Sequence, residues 1–244
     1  MVLRFGSYRS SLRPARPYER LDICDPVSPA TGSSDSLRDR LQSRIPLTDR
    51  ESSIRALSFA DGVFTVVAAG ELSVSDHASE LVELDLNRQP LGPHGMAAVA
   101  SAPLWSLEKL CAGGSGVEDD GAQELFAGEA FGNLRELDLS ENELTDAACY
   151  GLAEASGFGR LERLAVCSNH ITGDGISTLA AAPHLDRLRS LNLYSNPLGP
   201  AGGRAILASR LWGGLSELNL IGCGVGIEVV GDLRWVYGDR AVKA

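Results

Sequence analysis

An α/β solenoid, a horseshoe with a parallel β-sheet on its concave face and helices on its convex face, is the fold class that three features of this sequence predict. The first is a leucine pattern that recurs every 27 residues, with one interval of 26. The second is an apolar position that returns eighteen residues after the first leucine of every copy. The third is a change of apolar period inside each copy, from alternate residues to pairs three apart, which marks a strand followed by a helix.

The pattern is plainest in LRELDLSENEL at 134–144, with Leu134, Leu137, Leu139, Asn142 and Leu144. It returns as Leu161, Leu164, Val166, Asn169, Ile171 and as Leu188, Leu191, Leu193, Asn196, Leu198. One step forward lie Leu215, Leu218, Leu220, Cys223 and Val225; steps backward reach Leu107, Leu110, Ala112, Ser115, Val117 and Leu81, Leu84, Leu86, Gln89, Leu91. A degenerate first copy, Ile54, Leu57, Phe59, Gly62 and Phe64, makes seven units.

The helical half of each unit is read from Leu72, Val99, Leu125, Leu152, Leu179, Ile206 and Leu233, with Met96, Ala122, Cys149, Ile176 and Val230 three residues before their partners. Such i, i+3 pairs bury one helix face. Trp105, Phe131, Phe158, Leu185 and Trp212, twenty-four residues after the first leucine, are expected in the core, closing the return to the next strand. A single strand and helix cannot bury their apolar faces alone, so neighbours stack, with right-handed crossovers. Asn142, Asn169 and Asn196 stand where each strand turns away, and a buried amide there is expected to satisfy backbone groups that no sheet partner reaches.

LRELDLSENELTDAACYGLAEA resembles a leucine-rich repeat of the helix-bearing, ribonuclease-inhibitor-like type, and the resemblance extends over roughly 54–242. The tail LRWVYGDRAVKA at 233–244 is similar to the closing unit of bacterial proteins of this kind, which implies a last helix, a terminal strand around Val242 and a bacterial source. Units at 54 and 107 lack the asparagine, and Cys223 replaces it near the end. The family also implies an alternative role as an accessory of a nucleotide-handling protein, of the GTPase-activating type. No residue in the sequence singles out a catalytic arginine for that role.

Before the repeats, residues 1–33 are rich in Arg, Ser and Pro with no apolar period, which predicts a disordered arm. Over 34–53, Leu37, Leu41 and Ile45 predict a short helix capping the first unit, and 54–244 is the repeat domain. The 1–50 segment carries nine arginines against six acids, and the rest thirteen basic residues against twenty-six acids, giving the net charge of −10. An acidic body disfavours phosphate backbones, so no nucleic acid is expected as partner. No apolar run is long enough to span a bilayer, no secretory signal is legible, and five cysteines form no CxxC pair, so a reduced cytoplasmic protein away from membranes is expected.

Catalysis needs convergent groups, and repeat arithmetic argues against them. His77 and His184 share an offset but lie four units apart, about 19 Å at about 4.8 Å per strand. His94 and His170 fall at other offsets, so no metal site, cofactor or nucleophilic triad is expected. GGSG at 113–116 and GCGVG at 222–226 read as turns after repeat strands, and VEDDG at 117–121 as a solvated, acidic helix start.

What remains is a surface. Alternation puts three positions per unit on the concave face. The first column, Ala56, Glu83, Lys109, Glu136, Arg163, Ser190, Glu217, alternates in sign and predicts a lateral ion-pair ladder. The second holds Asp85, Asp138, Asn192 and Asn219; the third ends in Cys167, Tyr194 and Ile221. Asp85, Asp138, Asn192, Tyr194, Asn219 and Ile221 are therefore expected to bind a protein partner with a basic surface, through the concave face and C-terminal rim, in a non-enzymatic monomer.

Overall fold

The computed structural model of the protein describes residues 19–23, 54–59, 64–75 and 78–244. Nine strands form one parallel sheet in strict chain order: β1 (Glu19–Ile23), β2 (Ile54–Phe59), β3 (Glu83–Asp85), β4 (Lys109–Cys111), β5 (Glu136–Asp138), β6 (Arg163–Ala165), β7 (Ser190–Asn192), β8 (Glu217–Asn219) and β9 (Val242–Lys243). Between them run helices α1 (Val66–Ser73), α2 (Gly92–Ala100), α3 (Glu118–Ala127), α4 (Asp146–Glu154), α5 (Gly173–Leu179), α6 (Gly199–Ala208) and α7 (Ile227–Tyr237). The register follows the repeat: Glu136 pairs with Lys109 on one side and Arg163 on the other, while Leu137 lies level with Leu110 and Leu164.

Most strands are only three residues long because three residues are all the template needs. The middle leucine points into the core and its two neighbours point to the concave face. Leu84, Leu110, Leu137, Leu164, Leu191 and Leu218 are all buried, as are the helix residues Leu72, Val99, Leu125, Leu152, Leu179, Ile206 and Leu233. These side chains form one continuous core from Leu57 to Val242. Where α6 meets α7 the helices approach so closely that a Cβ on Gly203 would overlap Val225 and Val229.

Beyond each of β3 to β8 the chain reverses at a left-handed residue seven places after the unit's first leucine. Arg88, Gly114, Glu141, Ser168, Ser195 and Gly222 have φ between 50° and 76°. The next residue is buried in each of these six units, and it is where the predicted asparagines stand. Asn169 Oδ1 accepts from the backbone N–H groups of Asn142 and Leu144, at 2.9 and 3.0 Å, while Nδ2 donates to the carbonyls of Leu139, Val166 and Cys167. Asn142 accepts from Ser115 and Val117 N–H and donates to the carbonyls of Ala112 and Ser140. Asn196 accepts from Ile171 N–H and donates to the carbonyl of Val166.

The units without asparagine keep part of this bonding with other chemistry. Ser115 Oγ donates to the carbonyl of Leu86 at 2.7 Å, and Cys223 Sγ to that of Leu193 at 3.0 Å. Gln89 reaches both ways, accepting from Phe64 N–H and donating to Phe59 and Asn87 carbonyls. Ser115 and Cys223 supply the donor but not the acceptor. In the preceding turns Leu91 N–H and Leu198 N–H bond instead to the carbonyls of Gln89 and Asn196.

Two expectations change. Residues 19–23, inside the segment expected to be an arm without regular structure, form β1, whose Leu21 and Ile23 are in register with Leu57 and Phe59 of β2. The rest of that segment and the capping helix expected at 34–53 lie outside the described residues, as does His77. Trp105 is 52% exposed, whereas Phe131, Phe158, Leu185 and Trp212 are buried. The buried position is held by Leu104, because it is set three residues before the next strand's first leucine. The unit running from 81 to 107 is one residue short, so counting forward overshoots it.

Candidate protein-binding face

The first concave column forms the expected ladder. Lys109 Nζ lies 3.5 Å from Glu83 and 3.4 Å from Glu136, and Arg163 lies 3.6 Å from Glu136. Ser190 Oγ then donates to Glu217 at 2.9 Å. Burial opposes the charge of Lys109, but the carboxylates of Glu136 and Glu83 hold its pKa above the ordinary value. A second, more exposed ladder follows the strand-start edge, where Arg135 bridges Glu108 and Glu162. Half-exposed pairs of this kind are worth at most about 1 kcal/mol each, so the ladders tune charge more than they hold the fold.

The second column has a structural task that alternation alone does not show. Asp85, Asp138, Asn192 and Asn219 each accept, through Oδ1, a hydrogen bond from the backbone N–H two residues on, at 2.9 to 3.3 Å. These Asx turns close the end of each strand. Asp138 and its equivalents are half-buried, and their remaining polar atoms line the concave surface.

In the third column the task changes along the molecule. Asn87 Oδ1 accepts from Gly113 N–H at 2.7 Å and Ser140 Oγ from Cys167 N–H at 3.1 Å, so these side chains tie one unit to the next. Tyr194 and Ile221 make no such bond among the described residues. They sit side by side, since Ser195 N–H donates to the Ile221 carbonyl, and they are 37% and 46% exposed. The structure thus divides the six sequence-predicted residues into four turn-forming polar groups and two exposed apolar ones.

Sequence reasoning missed Asp119, which lies in the acidic run read as solvated. Its carboxylate accepts from Thr145 N–H, Thr145 Oγ1 and Ala148 N–H, fixing the start of α4, and Asp146 repeats the first two contacts on Thr172. The recurring Asp in one unit and Thr 26 residues later was the available signal.

The four described cysteines are thiols kept protonated by burial: Cys167 is pushed up to about 11, and Cys111, Cys149 and Cys223 are also raised. Among the described residues no group of three or more His, Cys, Asp or Glu converges as metal ligands would. His184 contacts the Leu152 carbonyl at 3.0 Å. No helix among the described residues is long and apolar enough to cross a membrane.

Comparison with known proteins agrees with the repeat. A solved structure of a plant peptide hormone receptor, RGFR1, in complex with RGF2 is 19% identical, with 70% of this chain and 34% of the receptor chain covered and a TM-score of 0.36. This chain therefore spans about a third of that receptor's length. No curated protein matches it. The family described as Leucine Rich repeat matches at residues 133–153 and 188–207, the units whose strands are β5 and β7. With nine parallel strands in chain order among the described residues, helices returning between successive repeat strands and a buried hydrogen-bonding residue at the turn after each of β3 to β8, the fold is a helix-bearing leucine-rich-repeat solenoid, two of whose units match the family model.

Proposed function

We propose that the chain is a non-enzymatic protein-binding module that takes a partner on the concave face toward its C-terminal rim. The observation that carries this reading is the adjacent exposed pair Tyr194 and Ile221, apolar groups without a bond to the scaffold at positions where Asn87 and Ser140 serve it. An aromatic beside an aliphatic side chain is the composition of a contact anchor. Asn192 and Asn219 flank the pair in the same two units, Asp138 and Asp85 lie two and four strands from β7 on the same face, and the acidic body, with twenty-six acids against thirteen basic residues over 51–244, favours a partner with a basic rim.

A photo-crosslinking residue at position 194, compared with one at the exposed Glu124 on the convex side, tests the face. Binding rates for the captured partner then test the roles. Asp138→Lys is expected to slow association, because rim charge acts on encounter, and Tyr194→Ala to speed dissociation by a loss of about 2 kcal/mol. Equal capture from both positions, or rates unmoved by both substitutions, refutes the reading.

A further inference from the structure

Asn192 and Asn219 carry more than their turns require. Each closes its strand with the side-chain oxygen alone, Oδ1 accepting from the N–H of Tyr194 at 3.3 Å and of Ile221 at 3.2 Å. In the units of β3 and β5 a carboxylate fills the same place, and Asp85 and Asp138 make the same bond at 3.2 and 2.9 Å. The turn therefore asks only for an acceptor. Asparagine adds an NH2 group, and among the described residues neither Nδ2 donates to any acceptor. Two turn-forming amides thus hold donors that the scaffold does not use.

The two amides stand together. Asn192 and Asn219 are in register on β7 and β8, and with both oxygens held by the same turn bond, their NH2 groups line the concave surface about one strand spacing, roughly 4.8 Å, apart. One oxygen can lie about 2.9 Å from both nitrogens, and a carbonyl has the two lone pairs to accept from both. Two residues further along each chain, about 7 Å away, stand the exposed Tyr194 and Ile221. A partner residue that lays an apolar side chain on that pair holds its own main-chain carbonyl over the amides. The acceptor is neutral: asparagine rather than arginine supplies the donors, and an acidic body with twenty-six acids against thirteen basic residues over 51–244 repels a carboxylate.

We infer that Asn192 and Asn219 bind a main-chain carbonyl of the partner, next to the apolar side chain that Tyr194 and Ile221 receive. This rests on the concave-face reading and adds the partner's conformation to it. The docking segment is an extended one with its main chain exposed, because the carbonyls of a helix interior are already bonded within the helix.

The probe is a set of linear random peptides displayed on phage, selected on the full chain and resynthesised; those whose binding Tyr194→Ala weakens define the site. They are expected to share an apolar residue and to bind about tenfold more weakly to Asn192→Asp and to Asn219→Asp. The sign is decisive, because each substitution also adds a negative charge, which by itself would tighten the hold on a peptide with basic residues. Each aspartate keeps the turn acceptor, as Asp138 does, so both variants should melt with the parent. A thiocarbonyl, a weaker acceptor, in place of the apolar residue's carbonyl should weaken binding to the parent more than to the double aspartate variant. Peptides that bind either aspartate variant as tightly as the parent overturn the inference, as does a selection that yields none. With preferential capture at position 194 intact, those results leave the concave-face reading standing; equal capture at 194 and 124 takes both down.

Discussion

Replacing Asn169 by alanine removes five hydrogen bonds from a side chain that is only 4% exposed. The carbonyls of Leu139, Val166 and Cys167 lose a donor, but each oxygen has a second lone pair. The N–H groups of Asn142 and Leu144 have no second choice, and alanine leaves both facing an apolar interior. An unpaired buried donor costs about 1–3 kcal/mol, so a loss of about 3 kcal/mol is expected. Urea unfolding should show a lower midpoint at unchanged slope, and hydrogen exchange should show Asn142 and Leu144 amides losing protection ahead of their neighbours. Asn169→Ser should fall between parent and alanine, because Ser115 shows that a hydroxyl reaches one carbonyl from this position. A variant within about 0.5 kcal/mol of the parent, the range of ordinary surface changes, with both amides still protected, would refute the assignment of these bonds as structural.

Leu164→Ala, which opens a cavity beneath the central strand β6, is expected to cost about 2–5 kcal/mol in the same unfolding assay. Glu143, exposed and at φ 57°, stands where Gly116 and Gly224 stand in their own units. Glu143→Gly should therefore raise stability by about 0.5–1 kcal/mol, the left-handed strain relieved less the entropy glycine adds to the unfolded chain. Raised thiol pKa values favour the folded state while the thiols stay protonated in both states. Stability should be insensitive to them below about pH 8.5, where unfolded thiols titrate, and should fall as pH rises toward the value of about 11 that Cys167 has in the fold. Unfolding at stepped pH, with thiol labelling of the native chain resisted at neutral pH, checks both limbs.

Much of this fold was legible because it repeats. Six interior leucines in register and seven buried helix positions follow from periodicity alone, since a period fixes which side each residue faces. The ion-pair ladder was legible for the same reason, as alternating signs at one offset meet on neighbouring strands. β1 was not: Tyr18, Leu21 and Ile23 keep the template spacing, but 36 residues separate them from the next unit and no step of 27 lands there. The turn positions were half legible, because asparagine was the signal sought while the backbone asks for a buried hydrogen-bond donor, which serine and cysteine also supply. The Asx turns of Asp85 and Asp138 were hidden because an acid on a concave face and an acid closing a strand look alike in sequence. Only the pairing of donors and acceptors separates them.

The misplacement of Trp105 shows where the architecture has slack. From the buried helix residue at 72, 125, 152, 179 or 206 to the residue that precedes the next unit's first leucine by three is six positions, and from Val99 to Leu104 it is five. Every other spacing, from strand to reversal to buried polar turn to helix, is held by bonds to a neighbouring unit and has no freedom to change by one. Length variation is therefore expected to gather at the back of the horseshoe, in segments such as 100–103, and to be rejected at the front. The same segments are where a fluorophore peptide or an epitope could be grafted without disturbing the sheet, giving each unit its own reporter on the side away from any ligand.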